Sequence, residues 1–261
     1  MKTRALPLPL DVRLMNTTAT VLFAACGLLL VAALGWWLLR HPLFAIGGIV
    51  VEGDVTHNSA ATLRANVTPR LAGNFFTTDL QQARRVFEEV PWVRRAVVSR
   101  QFPNRLRVVL QEHVAEAFWG DSESRLVNTQ GEVFEANPGD LDPDAMPRLT
   151  GPEGTAAMLL AMYRGLQPHM QVLELAIEQV VLTGRGGWTV HLDSGAVVEL
   201  GRGTTEEVLA RGRRFAQTLA QVTSKYGRRP EALVTADLRH ADGYAVKLRG
   251  VATTDVATQR N

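Results

Sequence analysis

Six histidines, one cysteine, one hairpin serine and one glycine-rich turn are where this chain of 261 residues could do chemistry. His41, His57, His113, His169, His191 and His240 are scattered, without the HxxxH, HxH or cysteine-linked spacing that puts several ligands on one metal ion. They read as solvated or core imidazoles. Ser194 lies in Asp193-Ser194-Gly195, outside any GxSxG nucleophile elbow, and reads as a hairpin residue. Gly201-Arg202-Gly203-Thr204-Thr205-Glu206-Glu207 opens a helix, and helix N-termini attract anions. The turn lacks the Lys-Ser/Thr ending of a phosphate loop, and its two carboxylates would repel an anion. Thr204 as N-cap with Glu207 three residues on makes a capping box instead. No catalytic group, metal or cofactor is expected.

What remains is chemistry by binding, and two stretches could carry it. Arg94, Arg95, Arg100, Arg105 and Arg107 fall on two neighbouring β-prone runs. They fit a solvated strand face, or a patch for anionic lipid headgroups or an acidic partner, worth roughly 1 kcal/mol per residue near a charged surface. The second stretch is the last β-prone run, Tyr244 to Arg249, beyond which nothing looks able to pair. A terminal strand can lie at a sheet edge, where unpaired backbone groups are a template for another protein's strand. Backbone of Tyr244, Ala245, Val246, Lys247, Leu248 and Arg249 would supply the ladder, and side chains of Tyr244, Val246 and Leu248 the pockets. Arg185, near Trp188, would add a polar contact. The competing reading is an edge merely guarded by Lys247 and Arg249.

The elements that must position these stretches begin with Thr17 to Leu39, an uncharged run between Arg13 and Arg40. About 23 residues at 1.5 Å each make a helix of roughly 35 Å, enough to cross a hydrocarbon core of about 30 Å with modest tilt. Trp36 and Trp37 suit the headgroup layer. Lys2, Arg4 and Arg13 against Asp11 keep residues 1–16 in the cytoplasm by the positive-inside rule, and the rest on the far side. A cleavable signal peptide would have a shorter apolar region. Phe23-Ala24-Ala25-Cys26 faintly resembles a lipoprotein cleavage box, but cleavage would leave Gly27 to Leu39 as an apolar terminus. An uncleaved anchor is expected. Charged residues at 21% and hydrophobic ones at 46% suit folded domains rather than disorder. The only cysteine, Cys26, is inside the span, so the exported part holds no disulfide. A net charge of +2 gives no sign of nucleic-acid binding.

After the anchor, Ile46 to Glu52 reads as a strand ended by Gly53-Asp54. Ser59 caps a short helix carrying Leu63 and Val67, which Pro69 stops. A second helix starts near Thr78-Asp79, carries Leu80, Ala83, Phe87 and Val90 on one stripe, and is closed by Pro91. Val93 to Arg100 and Leu106 to Glu112 follow as strands. Then come short β-prone segments at Ala117 to Trp119, Arg125 to Asn128 and Glu132 to Glu135, and a loop from Asn137 to Pro147. A helix of about 14 residues ending near Gln167-Pro168 is expected, then strands at Leu173 to Thr183, Trp188 to Leu192 and Val197 to Leu200. A helix from Thr204 to about Tyr226 puts Val208, Phe215, Leu219, Val222 and Tyr226 on one face. Ala232 to Leu238 and Tyr244 to Arg249 pair around Asp242-Gly243, and a frayed tail closes the chain.

Strand, helix, helix, strand, strand directly after an anchor, with the words IGGIVVEG, NFFTTDL and VPWVRRAVVSRQFPNRLRVVLQEHVAEAFW, resembles a POTRA domain. LVNTQGEVF, PRLTGPEG, VELGRGTTEEVLARGRRF and ALVTADLRHADGYAVKL resemble the β domain of the FtsQ/DivIB family of bacterial cell-division proteins. His240 departs from that pattern, where an aromatic more often follows Asp-Leu-Arg. The resemblance implies an α+β protein: cytoplasmic tail 1–16, transmembrane helix 17–39, POTRA domain 44–113 of βααββ order, β domain 114–251 with a mixed sheet and flanking helices, and flexible tail 252–261. It implies a non-enzymatic, essential-type scaffold of the inner membrane at the division septum, with bulk periplasmic. Its partners would be FtsB and FtsL, bound through the C-terminal region and linked to septal peptidoglycan synthesis. A membrane-tethered cell-wall enzyme and a POTRA-type chaperone of exported polypeptides are the rival readings.

Overall fold

The computed structural model describes residues 10–39, 41, 44–71, 73–139, 141, 145–240 and 243–251. Lys2, Arg4 and Arg40, part of the Asn137 to Pro147 loop, the Ala241-Asp242 part of the last turn, and residues 252–261 lie outside the described residues. The rest divides into two compact units, residues 1–112 and 113–261.

The first unit opens with α1 (Leu10–Leu39), 30 residues long. It starts before the expected Thr17, and Thr20 Oγ donates to the Asn16 carbonyl at 2.7 Å. The segment Asp11–Trp37 is long and apolar enough to cross a membrane. Next come β1 (Gly48–Gly53), α2 (Ala60–Val67), α3 (Leu80–Glu88), β2 (Val93–Gln101) and β3 (Arg105–Glu112). The helices start where the sequence places them, since Ser59 accepts from the Thr62 amide and Asp79 from those of Gln81 and Gln82. The sheet order is β1-β3-β2, with β1 parallel and β2 antiparallel to β3. One face packs on the helices through Ile49, Leu63, Phe87, Ala96, Val108 and Leu110. Val86, off the expected stripe, is buried as well.

The second unit is built on a nine-stranded mixed sheet of order β12-β11-β10-β9-β8-β7-β4-β5-β6. Its strands are β4 (Ala115–Trp119), β5 (Arg125–Asn128), β6 (Val133–Glu135), β7 (Arg148–Thr150), β8 (Ile177–Leu182), β9 (Trp188–Leu192), β10 (Val197–Gly201), β11 (Leu233–Asp237) and β12 (Ala245–Leu248). Helices α4 (Ala156–Gln171) and α5 (Thr205–Ser224) cover it and touch each other closely. A Cβ on Gly212 would come within 2.5 Å of Leu166, and one on Gly165 within 2.7 Å of Leu209. The core runs from Trp119 and Leu149 through Leu159, Val190 and Phe215 to Leu248.

Three boundaries in the second unit differ from expectation in ways that packing explains. Helix α4 continues through Pro168, because its last turn carries Met170 into full burial. The expected strand from Leu173 is β8 alone; Leu173 and Leu175 instead turn inward to close the end of α4 around Glu174, whose φ is 58°. Helix α5 stops at Ser224, which leaves Tyr226 beyond it and 58% exposed rather than on the core stripe.

Candidate partner-docking edge

The last strand, β12, sits at one end of the nine-stranded sheet. Among the described residues it pairs only with β11, antiparallel, through Leu233↔Leu248, Thr235↔Lys247, Ala236↔Val246 and Asp237↔Ala245, with a bulge between Leu233 and Thr235. Arg249 donates its N–H to the Ala232 carbonyl at 2.7 Å. Backbone groups alternate along an antiparallel strand, so Val246 and Leu248 turn their N–H groups away from β11. The Leu248 carbonyl accepts from Val251 N–H. The outward groups of β12 are those an added strand would meet.

The side chains divide differently from the expectation. Leu248 is buried, and Val246 and Tyr244 are half-buried against the unit's own core. Tyr244 meets the Phe215 ring edge-on at 5.1 Å, and its hydroxyl pairs with Thr218 Oγ at 2.7 Å. Pockets for a partner are therefore not what Tyr244, Val246 and Leu248 chiefly offer, because strand alternation puts them on the core-facing side of the sheet, where Tyr244 meets α5. Ala245, Lys247 and Arg249 are the exposed members. Arg185 is exposed at the tip of the β8–β9 hairpin, and three strand spacings separate β9 from β12, roughly 14 Å. The structure does not bring it to the edge strand.

The entry to β12 is fixed by residues that the sequence reading passed over. Asp237, at the end of β11, accepts from the Arg239 amide at 3.0 Å and from Arg239 Nε at 2.8 Å. These bonds, side chain before backbone, hold the Asp237 carboxyl well below the usual carboxylate range and raise Arg239. The Leu238 amide donates to the Glu199 carbonyl at 2.8 Å. Together they set where the chain leaves β11. The signal available in the sequence was the Asp-x-Arg spacing, short enough for a carboxylate to take both the amide and the guanidinium.

Arg94, Arg95, Arg100, Arg105 and Arg107 do not form one patch. Arg95 and Arg107 stand on the solvent face of the sheet with Arg105, and Arg107 pairs with Glu52 at 2.6 Å. That pair lowers Glu52 and raises Arg107. Arg100 lies opposite Leu106 on the helix side, where it donates to the carbonyls of Phe75, Phe76 and Thr78 at 2.6, 3.2 and 2.7 Å. Arg94 is half-buried at the bulge between Val93 and Arg95.

The other candidates serve structure. Thr204 and Glu207 make both bonds of the capping box, at 2.9 and 3.3 Å, and Arg211 reaches the carbonyls of Leu200 and Arg202 beside it. His57 stacks on Trp92 at 3.8 Å and pairs with the buried Glu112 at 3.1 Å. His113 stacks on Phe134 at 4.1 Å, with Asn128 Nδ2 at 2.8 Å from its Nδ1. No group of three or more His, Cys, Asp or Glu that could hold a metal occurs among the described residues.

Comparison with known proteins bears on this edge. Residues 44–113 match the profile "POTRA domain, FtsQ-type", and residues 117–239 match "Cell division protein FtsQ/DivIB, C-terminal", which ends just before β12. The chain is 41% identical over 242 residues to a cell division protein FtsQ of Burkholderia pseudomallei, covering 92% of this chain and 94% of the relative. It is 40% identical over 249 residues to the FtsQ of Thiomonas arsenitoxydans, covering 94% and 90%. With the FtsQ of Neisseria meningitidis serogroup B it shares 31% over 227 residues, covering 87% and 89%.

Proposed function

The chain belongs to the FtsQ/DivIB family of cell division proteins, and from that membership and the open edge of β12 we propose a divisome scaffold that works by binding rather than turnover. In this reading residues 17–39 cross the bacterial inner membrane once, the 1–16 tail is cytoplasmic, and the two folded units stand in the periplasm at the septum. FtsB and FtsL dock by strand addition on β12 and are thereby linked to septal peptidoglycan synthesis. The observation that supports docking is the outward N–H groups of Val246 and Leu248 and the Val246 carbonyl, the Leu248 carbonyl being taken by Val251 N–H, with Lys247 and Arg249 beside them.

Val246→Pro tests it selectively. Proline deletes an N–H that faces away from β11, so the strand's own ladder is kept while the template loses a donor and gains a ring. Full-length Val246→Pro, folded by circular dichroism, should capture FtsB and FtsL from detergent extracts at least about tenfold less well, the equivalent of ~1.4 kcal/mol. Undiminished capture would remove β12 as the docking strand.

A further inference from the structure

The end of the first unit that follows the anchor carries an aromatic cluster for which strand addition at β12 gives no reason. Three segments meet there. Phe44 accepts the Phe75 amide at 2.8 Å, the Gly47 amide donates to the Asn104 carbonyl at 2.8 Å, and Arg100 clamps the loop that carries Phe75 and Phe76. The Phe44 and Phe76 rings lie 5.1 Å apart, Phe75 and Phe76 5.2 Å, and Phe75 and Phe102 6.0 Å. Phe75 is buried, yet Phe76 is 44% and Phe102 79% exposed. Single exposed apolar residues are ordinary. Large rings held in water by a rigid, hydrogen-bonded frame call for a partner surface.

The chain itself says which surface is near. Only residues 40–43 separate α1 from Phe44, a reach of at most about 17 Å even fully extended. His41 meets the Trp37 ring at 5.0 Å. Trp36 and Trp37 are themselves exposed on α1, the residue type that sits at headgroup level. Beside the aromatic end lies a groove of about 670 Å³ that begins at Ala45 and contains Arg64 and Arg105, with no carboxylate among its lining residues. Apolar rings next to two guanidinium groups, of which Arg64 gives its Nε–H to the Ile49 carbonyl at 3.2 Å and keeps its terminal nitrogens for a ligand, match an interface of acyl chains and phosphates.

We propose that this end rests in the headgroup layer of the membrane that α1 crosses. Phe76 and Phe102 enter the boundary between headgroups and acyl chains, Arg64 and Arg105 face phosphates, and Arg100 is the positioning residue that presents Phe76. The first unit is then seated on the bilayer rather than carried on a loose tether. This docking rests on α1 being a membrane span, and the experiment separates the two. The full-length chain is reconstituted in phosphatidylcholine vesicles, alone or with phosphatidylglycerol, and spin-labelled at single cysteines. Native Cys26 reports the span; Phe76→Cys, Phe102→Cys and Val97→Cys are each made with Cys26→Ser. Val97, 57% exposed on the strand face, is the control. Labels at 76 and 102 should collide with oxygen several-fold more than with a water-soluble nickel chelate, and the label at 97 should show the reverse. Phosphatidylglycerol should deepen the label at 102, and Arg105→Gln should abolish that deepening. Labels at 76 and 102 as wet as at 97, with Cys26 still reading as buried, overturn the docking and leave the span intact. A wet Cys26 overturns both. A depth indifferent to phosphatidylglycerol overturns the part given to Arg105.

Discussion

Asp237 is the single side chain on which the path into β12 turns most directly. Its carboxylate accepts three bonds from Arg239, from the amide and Nε on one oxygen and from Nη2 on the other, at the point where the chain leaves β11. Those bonds favour the ionised form, so its pKa lies below the ordinary value of 3.8. A carboxyl whose folded value is depressed stabilises the fold fully above its unfolded value and loses that contribution as pH falls through the folded one. Between pH 8 and 5 the clip is therefore constant, and it fails only in acid below about pH 4. Because the Arg239 side chain is largely in water, solvent screens the pair and its worth is small. Asp237→Asn should lower the melting temperature by a few degrees at pH 6 and by nothing at the acid end. Parallel melts of wild type and variant from pH 7 to pH 2 measure this, and a gap that stays constant into strong acid would refute the clip.

At the scale of elements, β1 shows how a strand end is made unique by one residue. Gly53 has φ of 94°, and a Cβ there would lie 2.2 Å from the Leu110 carbonyl oxygen, the group to which the Asp54 amide donates at 3.1 Å. Backbone cannot move aside as a side-chain tip can. Gly53→Ala should cost about 2–4 kcal/mol in urea unfolding. Gly120, at φ of 63° with nothing within 4 Å of its would-be Cβ, should lose only about 1 kcal/mol on the same change. Equal losses would mean that strain alone, and not the Leu110 carbonyl, sets the cost. The glycine followed by aspartate was readable as a strand stop, because turn chemistry is local. The caps at Ser59, Asp79 and Thr204 were readable for the same reason. The three-residue β7 was not, since a run of that length has no period of its own and exists only because β4 and β8 flank it in parallel. That β12 falls at an edge was open to anticipation from its place in the chain. Which of its side chains face inward was not, because that depends on α5 lying over it with Phe215 and Thr218.

For the molecule as a whole, α1 has two separable jobs in the scaffold proposed above, holding the folded units at the membrane and contributing a particular helix surface. The first raises the local concentration of β12 for partners anchored in the same bilayer, an advantage that a tether can give by orders of magnitude without any new contact. The second would need specific packing, and the described side chains of Asp11–Trp37 are not buried against the rest of the chain. If tethering is the whole role of α1 in this scaffold, its sequence is interchangeable. Replacing residues 17–39 with an unrelated membrane-spanning helix of equal length should restore division in cells depleted of the native chain. Exporting residues 44–251 without any span should leave filaments with unfinished septa at equal abundance. Septum counts and immunoblots of the two strains decide between the jobs: rescue by the exported soluble form would show that confinement is dispensable, and failure of the swapped helix would assign α1 a specific partner within the bilayer.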